Sequence, residues 1–264
     1  MAPDPTLKPA PAATDRKFVT ALARGLEVLR CFGPRDRWLA NQEIAKRTGL
    51  AKPTVTRLAY TLVRTGHLRY SESLNKYALG SASRSLGFSA LAQMDIRRLA
   101  RPLMQALSEH TKGAVHLSVA DRLSMVMIDT YRNPGSFLVD IGSRLPMATT
   151  SIGRAYLAAL SPAERRRLLE EIRQSTGEEW PRIKKAIDQA LVEYEKQGFV
   201  IAIGEWRREV HGIAVPLVPS DSAEPVVFSC SGASFQLDLD TLKKDIGPRL
   251  LTLVGNVRSA LASE

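Results

Sequence analysis

Apolar residues recur along this chain with two different periods, and the switches between them outline its organisation. Residues 17–32 carry Val19, Leu22, Leu26 and Leu29 at helical spacing, so an amphipathic helix is expected there, ended by Gly33 and Pro34. That face is expected to pack across the next helix pair. Trp38 and Leu39 form a short apolar bridge into residues 41–66, NQEIAKRTGLAKPTVTRLAYTLVRTG. This stretch reads as helix, tight turn, helix. Asn41 suits the first N-cap, Glu43 suits the positive end of the helix dipole, and Gly49 suits a turn needing positive φ. The second helix starts near Lys52, with Pro53 in its first turn. Val55, Leu58, Ala59 and Leu62 follow at i, i+3, i+4 and i+7 and make its apolar face.

The opposite face of that helix carries Thr54, Arg57, Tyr60, Thr61 and Arg64, with Thr56 at its margin. It has cations and hydroxyls and no carboxylate, which is what a helix lying in a DNA major groove requires. A helical hairpin with a solvated face would show the same spacing, so the motif alone leaves both readings open.

After Gly66 the period falls to two. His67 to Tyr70, a turn over 71–75 and Lys76 to Leu79 read as a β-hairpin, a wing from which Arg69, Asn75 and Lys76 can reach phosphates or the minor groove. Residues 82–111 are helical again, with a kink or helix start near Pro102. From Ala114 onward strands and helices mix. AVHLSVAD and SMVMIDTY are two strands, and Phe137 to Ile141 is a weaker third. A loop precedes a helix from Ser151 to Leu160, and Ser161 and Glu164 form a capping box for the next helix. A helix over 182–196, strands at Gly198–Ile203, His211–Val218 and Pro225–Cys230, and a terminal helix over 239–261 complete an α+β domain with a mostly antiparallel sheet.

Charge sharpens this picture. The 264 residues carry a net charge of +10. Residues 1–90 hold 15 Lys+Arg against 6 Asp+Glu, a net +9, whereas residues 91–264 hold 22 against 21, a net +1. The positive field is therefore concentrated around the helix-turn-helix stretch, as phosphate binding demands. Residues 1–15, rich in Pro and Ala, are expected to be a disordered tail. Cys31 and Cys230 lie far apart in apolar surroundings and read as buried small hydrophobes in a reducing compartment. The histidines have no metal-ligand spacing, no phosphate-binding glycine loop or nucleophile-elbow motif is present, and no apolar run is long enough for a membrane span. A cytoplasmic protein without a cofactor is expected.

The runs RGLEVLRCF, EIAKRTGLAKPTVTRLAYTLVRTGHL, KYALG, GSRLPMATTSIGRAYLAALS, YEKQGFVIAIGEW, GIAVPL and FSCSGASF come in an order that resembles the isocitrate lyase regulator (IclR) family of bacterial transcription factors, over nearly the whole chain. The resemblance implies a winged helix-turn-helix DNA-binding domain over 16–80, a linker helix over 81–112 and a GAF-like effector-binding domain over 113–264. It implies a homodimer or homotetramer on operator DNA, and no enzymatic activity. On the DNA side it assigns Lys52, Pro53, Thr54, Thr56, Arg57, Tyr60, Arg64, Arg69, Asn75 and Lys76.

The resemblance also implies a small organic acid bound over the sheet of the second domain. Residue-wise carry-over assigns Leu145, Met147, Ser151, Ile152, Ser229 and Ser231 as its lining, with Met127 behind them. Where many members carry acidic residues, this chain has Ala202-Ile203-Gly204 before Glu205 and Trp206. That departure removes polar anchors, adds an aromatic wall and points to a larger, more apolar ligand, such as an aromatic carboxylate. Two other readings compete with this one. One is an enzyme using Cys230 or a serine as nucleophile, with His116 or His211 as base; the basic first third would then be unexplained. The other is a DNA-binding protein without an effector.

Overall fold

The computed structural model describes residues 17–133, 139–219 and 224–263. It divides into two compact units, Met1–Gln93 and Met94–Glu264. The expected tail over 1–15 lies outside the described residues.

The first unit runs α1 (Thr20–Arg30), α2 (Asn41–Thr48), α3 (Lys52–Arg64), β1 (Leu68–Ser71), β2 (Lys76–Leu79) and α4 (Ser81–Ala92). Val28, Phe32, Leu39, Ile44, Val55, Ala59 and Leu68 make its core. Gly49 closes α2 with φ 71°, a conformation that costs most other side chains energy. Ala40, not Asn41, precedes the first turn of α2, because Glu43 reaches back to the Ala40 N–H at 2.8 Å. The Asn41 amide instead donates to Thr56 Oγ1 at 2.9 Å and ties α2 to α3. Arg47 anchors the α1–α2 connection, donating to the Cys31 carbonyl at 2.9 Å and to Asp36 Oδ1 at 3.0 Å. Leu39 and Tyr77 exchange backbone hydrogen bonds at 2.8 Å, so the segment before α2 is stitched to the wing.

The rotation of α1 differs from expectation. Val19, Leu22 and Leu26 are 60%, 62% and 51% exposed, while Gly25 and Val28 are buried and Leu29 packs beside them. Cys31 and Phe32 immediately after the helix must reach the core, and that fixes which side of α1 turns inward.

The second unit comprises α5 (Asp95–Thr111), β3 (Ala114–Asp121), β4 (Ser124–Tyr131), β5 (Arg144–Pro146), α6 (Ser151–Ala159), α7 (Pro162–Thr176), α8 (Trp180–Gln197), β6 (Val200–Ile203), β7 (Val210–Leu217), β8 (Val226–Ala233), the single turn α9 (Leu239–Thr241) and α10 (Gly247–Leu261). Its strands form one antiparallel six-stranded sheet in the order β5-β4-β3-β8-β7-β6. Helices α5 and α10 pack together beside the sheet. Helix α6 lies on β7 and β8, with α8 against it, over a core that includes Met127, Met147, Ile152, Leu157 and Ile187.

Three expectations change here. Residues 82–111 are two helices, broken at Gln93 and Met94, and Pro102 sits inside α5 without ending it. The segment expected as one linker helix is therefore shared between the units, with Ile96, Ala100, Met104 and Leu107 of α5 buried in the second. Of the expected strand at 137–141, Phe137 and Leu138 lie outside the described residues and Val139 to Ile141 form no strand. The edge strand is Arg144–Pro146 instead, too short for a period to show and ending on a proline, which a sheet tolerates at its edge. The terminal helix is interrupted by a π-helical segment, Leu242–Ile246, that keeps Leu242 and Ile246 buried, and just after it Gly247 crosses the Phe199 ring. Among the described residues no helix is long and apolar enough to cross a membrane.

The start of α6 is held by a close backbone approach. A Cβ on Gly153 would stand 2.1 Å from the Met147 carbonyl oxygen and 2.3 Å from the Met147 Cα. Gly153→Ala is expected to cost about 3 kcal/mol or more in urea unfolding, since backbone on both sides must move. Gly255, exposed in α10 with nothing within 4 Å of an added Cβ, serves as the control. Gly255→Ala is expected to stabilise by about 0.5–1 kcal/mol.

Candidate functional site

The outer face of α3 is exposed and carries cations and hydroxyls. Lys52, Pro53, Thr56, Arg57, Tyr60, Thr61 and Arg64 are exposed, and Thr54 is half-buried. Tyr60 is 66% exposed, far more than core packing allows. Among the described residues the Arg57 and Arg64 guanidiniums have no acid partner, so both remain available to phosphate or base edges. Thr56 is less free than expected, since its hydroxyl takes the Asn41 amide and donates to the Lys52 carbonyl at 3.1 Å. In the wing, Arg69 stacks on Trp38 at 4.6 Å, which holds the guanidinium against the hairpin. Asn75 sits at φ 51° in the turn, and its Oδ1 accepts from Tyr70 at 2.7 Å. That residue shapes the wing; Lys76 beside it is half-buried.

The second unit holds a cleft between α6 and the sheet, lined in part by Leu145, Ser151, Ile152, Glu205, Trp206 and Ser231. Six of the expected effector residues are thus brought together. Met127 and Met147 are fully buried in the core behind them. Ser229, 1% exposed, lies two residues along β8 from Ser231 on the same face but outside the lining, and its hydroxyl has no hydrogen-bond partner among the described residues.

Ala202, expected near the ligand as part of the departure from the family, also lines the cleft, while sequence reasoning did not name Thr149, Thr150, Val139, Val210 and Gly212, which complete the wall. Gly212 matters most. A Cβ there would lie 3.1 Å from Ser151 Oγ and 3.6 Å from Ser231 Cβ, so the missing side chain is what lets Ser151 come this close to β7. A glycine inside an apolar strand is the one sequence signal that pointed to it.

Thr150 caps α6, its hydroxyl accepting from Gly153 N–H at 3.1 Å. Among the described residues nothing claims the Ser151 and Ile152 N–H groups, which sit at the positive end of the helix dipole on residues that line the cleft. The Cys230 side chain points to the other face of the sheet, where it meets Thr111 Oγ1 at 3.6 Å, and burial pushes the thiol up to about 12. It is no nucleophile.

A buried ion pair closes one side of the cleft. Arg154, 2% exposed, donates through both terminal nitrogens to Glu205 at 2.6 and 2.5 Å, and its Nε donates to the Ala148 carbonyl at 3.1 Å. The Glu205 carboxylate is therefore committed, and its charge is cancelled at the cleft. Removing it would strand a buried cation. Glu205→Ala is expected to cost about 1–3 kcal/mol in urea unfolding, reduced from the fully buried case because Glu205 remains 28% exposed. The double change with Arg154→Met is expected to cost less than the single one, and a simple sum of the two losses would contradict the pairing.

Comparison with known proteins agrees with both halves of this architecture. The family described as "IclR helix-turn-helix domain" matches residues 21–72, and "Bacterial transcriptional regulator IclR C-terminal" matches residues 88–251. The chain is 35% identical to the HTH-type transcriptional regulator TsaQ1/TsaQ2 of Comamonas testosteroni, over 92% of this chain and 89% of that one. A crystal structure of an IclR family transcriptional regulator from Brucella abortus is 48% identical, with a TM-score of 0.86 over 98% of this chain and 99% of that one. An IclR homologue from Microbacterium hydrocarbonoxydans, crystallised with 4-hydroxybenzoate, shares the fold at 21% identity and a TM-score of 0.73, over 92% of this chain and 100% of that one. An exposed cationic helix on a winged helix-turn-helix, a second α+β unit, and sequence relatives spanning both lead to one conclusion: the chain belongs to the IclR family of DNA-binding transcriptional regulators and is not an enzyme.

Proposed function

We propose that this regulator reads a small organic acid, aromatic rather than a two- or three-carbon keto acid, in the cleft beneath α6. The observation that carries this reading is the cleft in which the start of α6 at Ser151 and Ile152 meets Gly212 of β7 and Ser231 of β8. One side of it offers the unclaimed N–H groups of the α6 start to a carboxylate. Ala202, Ile152, Leu145 and Trp206 supply apolar walls for a ring. With Glu205 neutralised by Arg154, no uncompensated carboxylate repels an anion there. The 4-hydroxybenzoate found with the Microbacterium hydrocarbonoxydans homologue makes that acid a natural first probe.

On the output side, Arg57, Arg64, Tyr60, Lys52, Pro53 and Thr54 enter the major groove, and Arg69, Asn75 and Lys76 approach the backbone from the wing. The protein works as a homo-oligomer in the cytoplasm. A second copy covers the apolar stripe of Val19, Leu22 and Leu26 on α1 together with Leu86 and Phe88 on α4, which are 63% and 70% exposed. Ligand binding favours one arrangement of the oligomer and so shifts operator affinity by the difference in ligand affinity between arrangements.

Two measurements test the two ends separately. Arg57→Ala should weaken operator binding and lower the slope of log affinity against log salt by about 1, while calorimetry with 4-hydroxybenzoate stays as in the wild type. An unchanged footprint would show that α3 is not the reading helix. Gly212→Val pushes a branched side chain against Ser151 and Ser231 in the cleft wall, so operator binding should persist in a gel shift while the acid produces no heat and no change in shift. If that variant still responds to the acid, the effector sits elsewhere.

A further inference from the structure

Behind the inner wall of the cleft, three polar side chains form a chain across the sheet. His116 on β3 is 1% exposed. Its Nδ1 is 3.1 Å from Thr130 Oγ1 on β4, and its Nε2 is 3.2 Å from Ser231 Oγ on β8. Ser231 lines the cleft, so the chain runs from the edge side of the sheet to the ligand space. In the β3–β8 register His116 stands directly opposite Ser229, whose hydroxyl has no partner among the described residues. The surroundings on this face are apolar, with Ala214 and Val227 fully buried beside them.

We propose that His116 is a positioning residue of the effector cleft, fixing the Ser231 hydroxyl so that it meets the ligand either as donor or as acceptor. The inference rests on the cleft being the effector site. A neutral imidazole has one N–H and one lone pair. With the proton on Nε2, the ring donates to Ser231 and accepts from Thr130, and the Ser231 proton is free to turn toward a carboxylate or carbonyl oxygen. With the proton on Nδ1, the ring donates to Thr130 and accepts the Ser231 proton, and the Ser231 lone pairs face a ligand hydroxyl. No heavy atom moves between the two states. Burial, reinforced by the nearby Arg132 charge, pushes His116 down to about 4, so the ring is neutral near pH 7 and both states stay accessible. The arrangement selects ligands whose inner end forms a hydrogen bond and tolerates a change in which partner brings the proton.

A Ser–His contact also invites a hydrolase reading. Here Nδ1 faces a threonine hydroxyl where a hydrolase would place a carboxylate, so no group stabilises an imidazolium and the serine is not activated.

A double-mutant cycle on the full chain separates a positioning role from a filling one. Calorimetry with 4-hydroxybenzoate should show Ser231→Ala and His116→Leu each weakening binding by about 10-fold, with the double variant no weaker than either single one. His116→Gln, which keeps a donor and an acceptor, should recover most of the affinity. Thr130→Val should lose affinity in the same direction and be non-additive with Ser231→Ala; this cycle carries the test if His116→Leu does not fold by thermal unfolding. Losses that multiply, or a His116→Gln as weak as His116→Leu, would overturn the inference alone. A wild-type chain that binds no acid while still shifting operator DNA would overturn the reading of the cleft, and this inference with it.

Discussion

The second unit is organised by the place where two stretches of backbone nearly touch. Met147 and Gly153 approach so closely that even a methyl group cannot enter. The chain leaving β5 must therefore fold back on itself before α6 begins. That fold-back sets the first turn of α6 down on β7 and β8, with Ser151 against Gly212 and Ser231. It also buries Arg154, which then needs Glu205 from the loop after β6. Helix position, cleft volume and ion pair thus follow from one steric condition, and the N–H groups that face the cleft exist only because the helix starts there.

Much of this was legible in the residues. Period and capping signals gave α2, α3, the wing, β3, β4, α6 and α7 with boundaries within a few positions, because each carries its own local pattern. The charge split located the DNA-reading half without any structure. The failures share a cause. Which side of α1 turns inward depends on where Cys31 and Phe32 must go, and the Val19, Leu22, Leu26 stripe looks equally good as a core face. The short edge strand at Arg144–Pro146 has too few residues for a period, and the break at Gln93 and Met94 has no proline or glycine to announce it.

The cleft was half legible. Ser151, Ile152 and Ser231 came from the family resemblance, not from any physical signal in the chain. Gly212 was passed over because a glycine in a strand has an ordinary structural explanation, and His116 entered only as a base for a nucleophile. Their importance lies in distances between strands remote in sequence. Ser229 shows the opposite error: the right face and the right residue type, but a position just outside the described lining.

The strand order carries a consequence for how the protein comes to exist. Strand β8 lies between β3 and β7, although it is the last strand of the chain. Its pairing with β3 joins His116 to Ser229, across more than a hundred residues. Contacts of that span form late in folding, because a long loop must close first. The winged unit is made of near neighbours and emerges first from the ribosome. A nascent chain therefore holds a folded winged unit before β8 has been synthesised, and the cleft under α6 is complete only when β8 slots into the middle of the sheet.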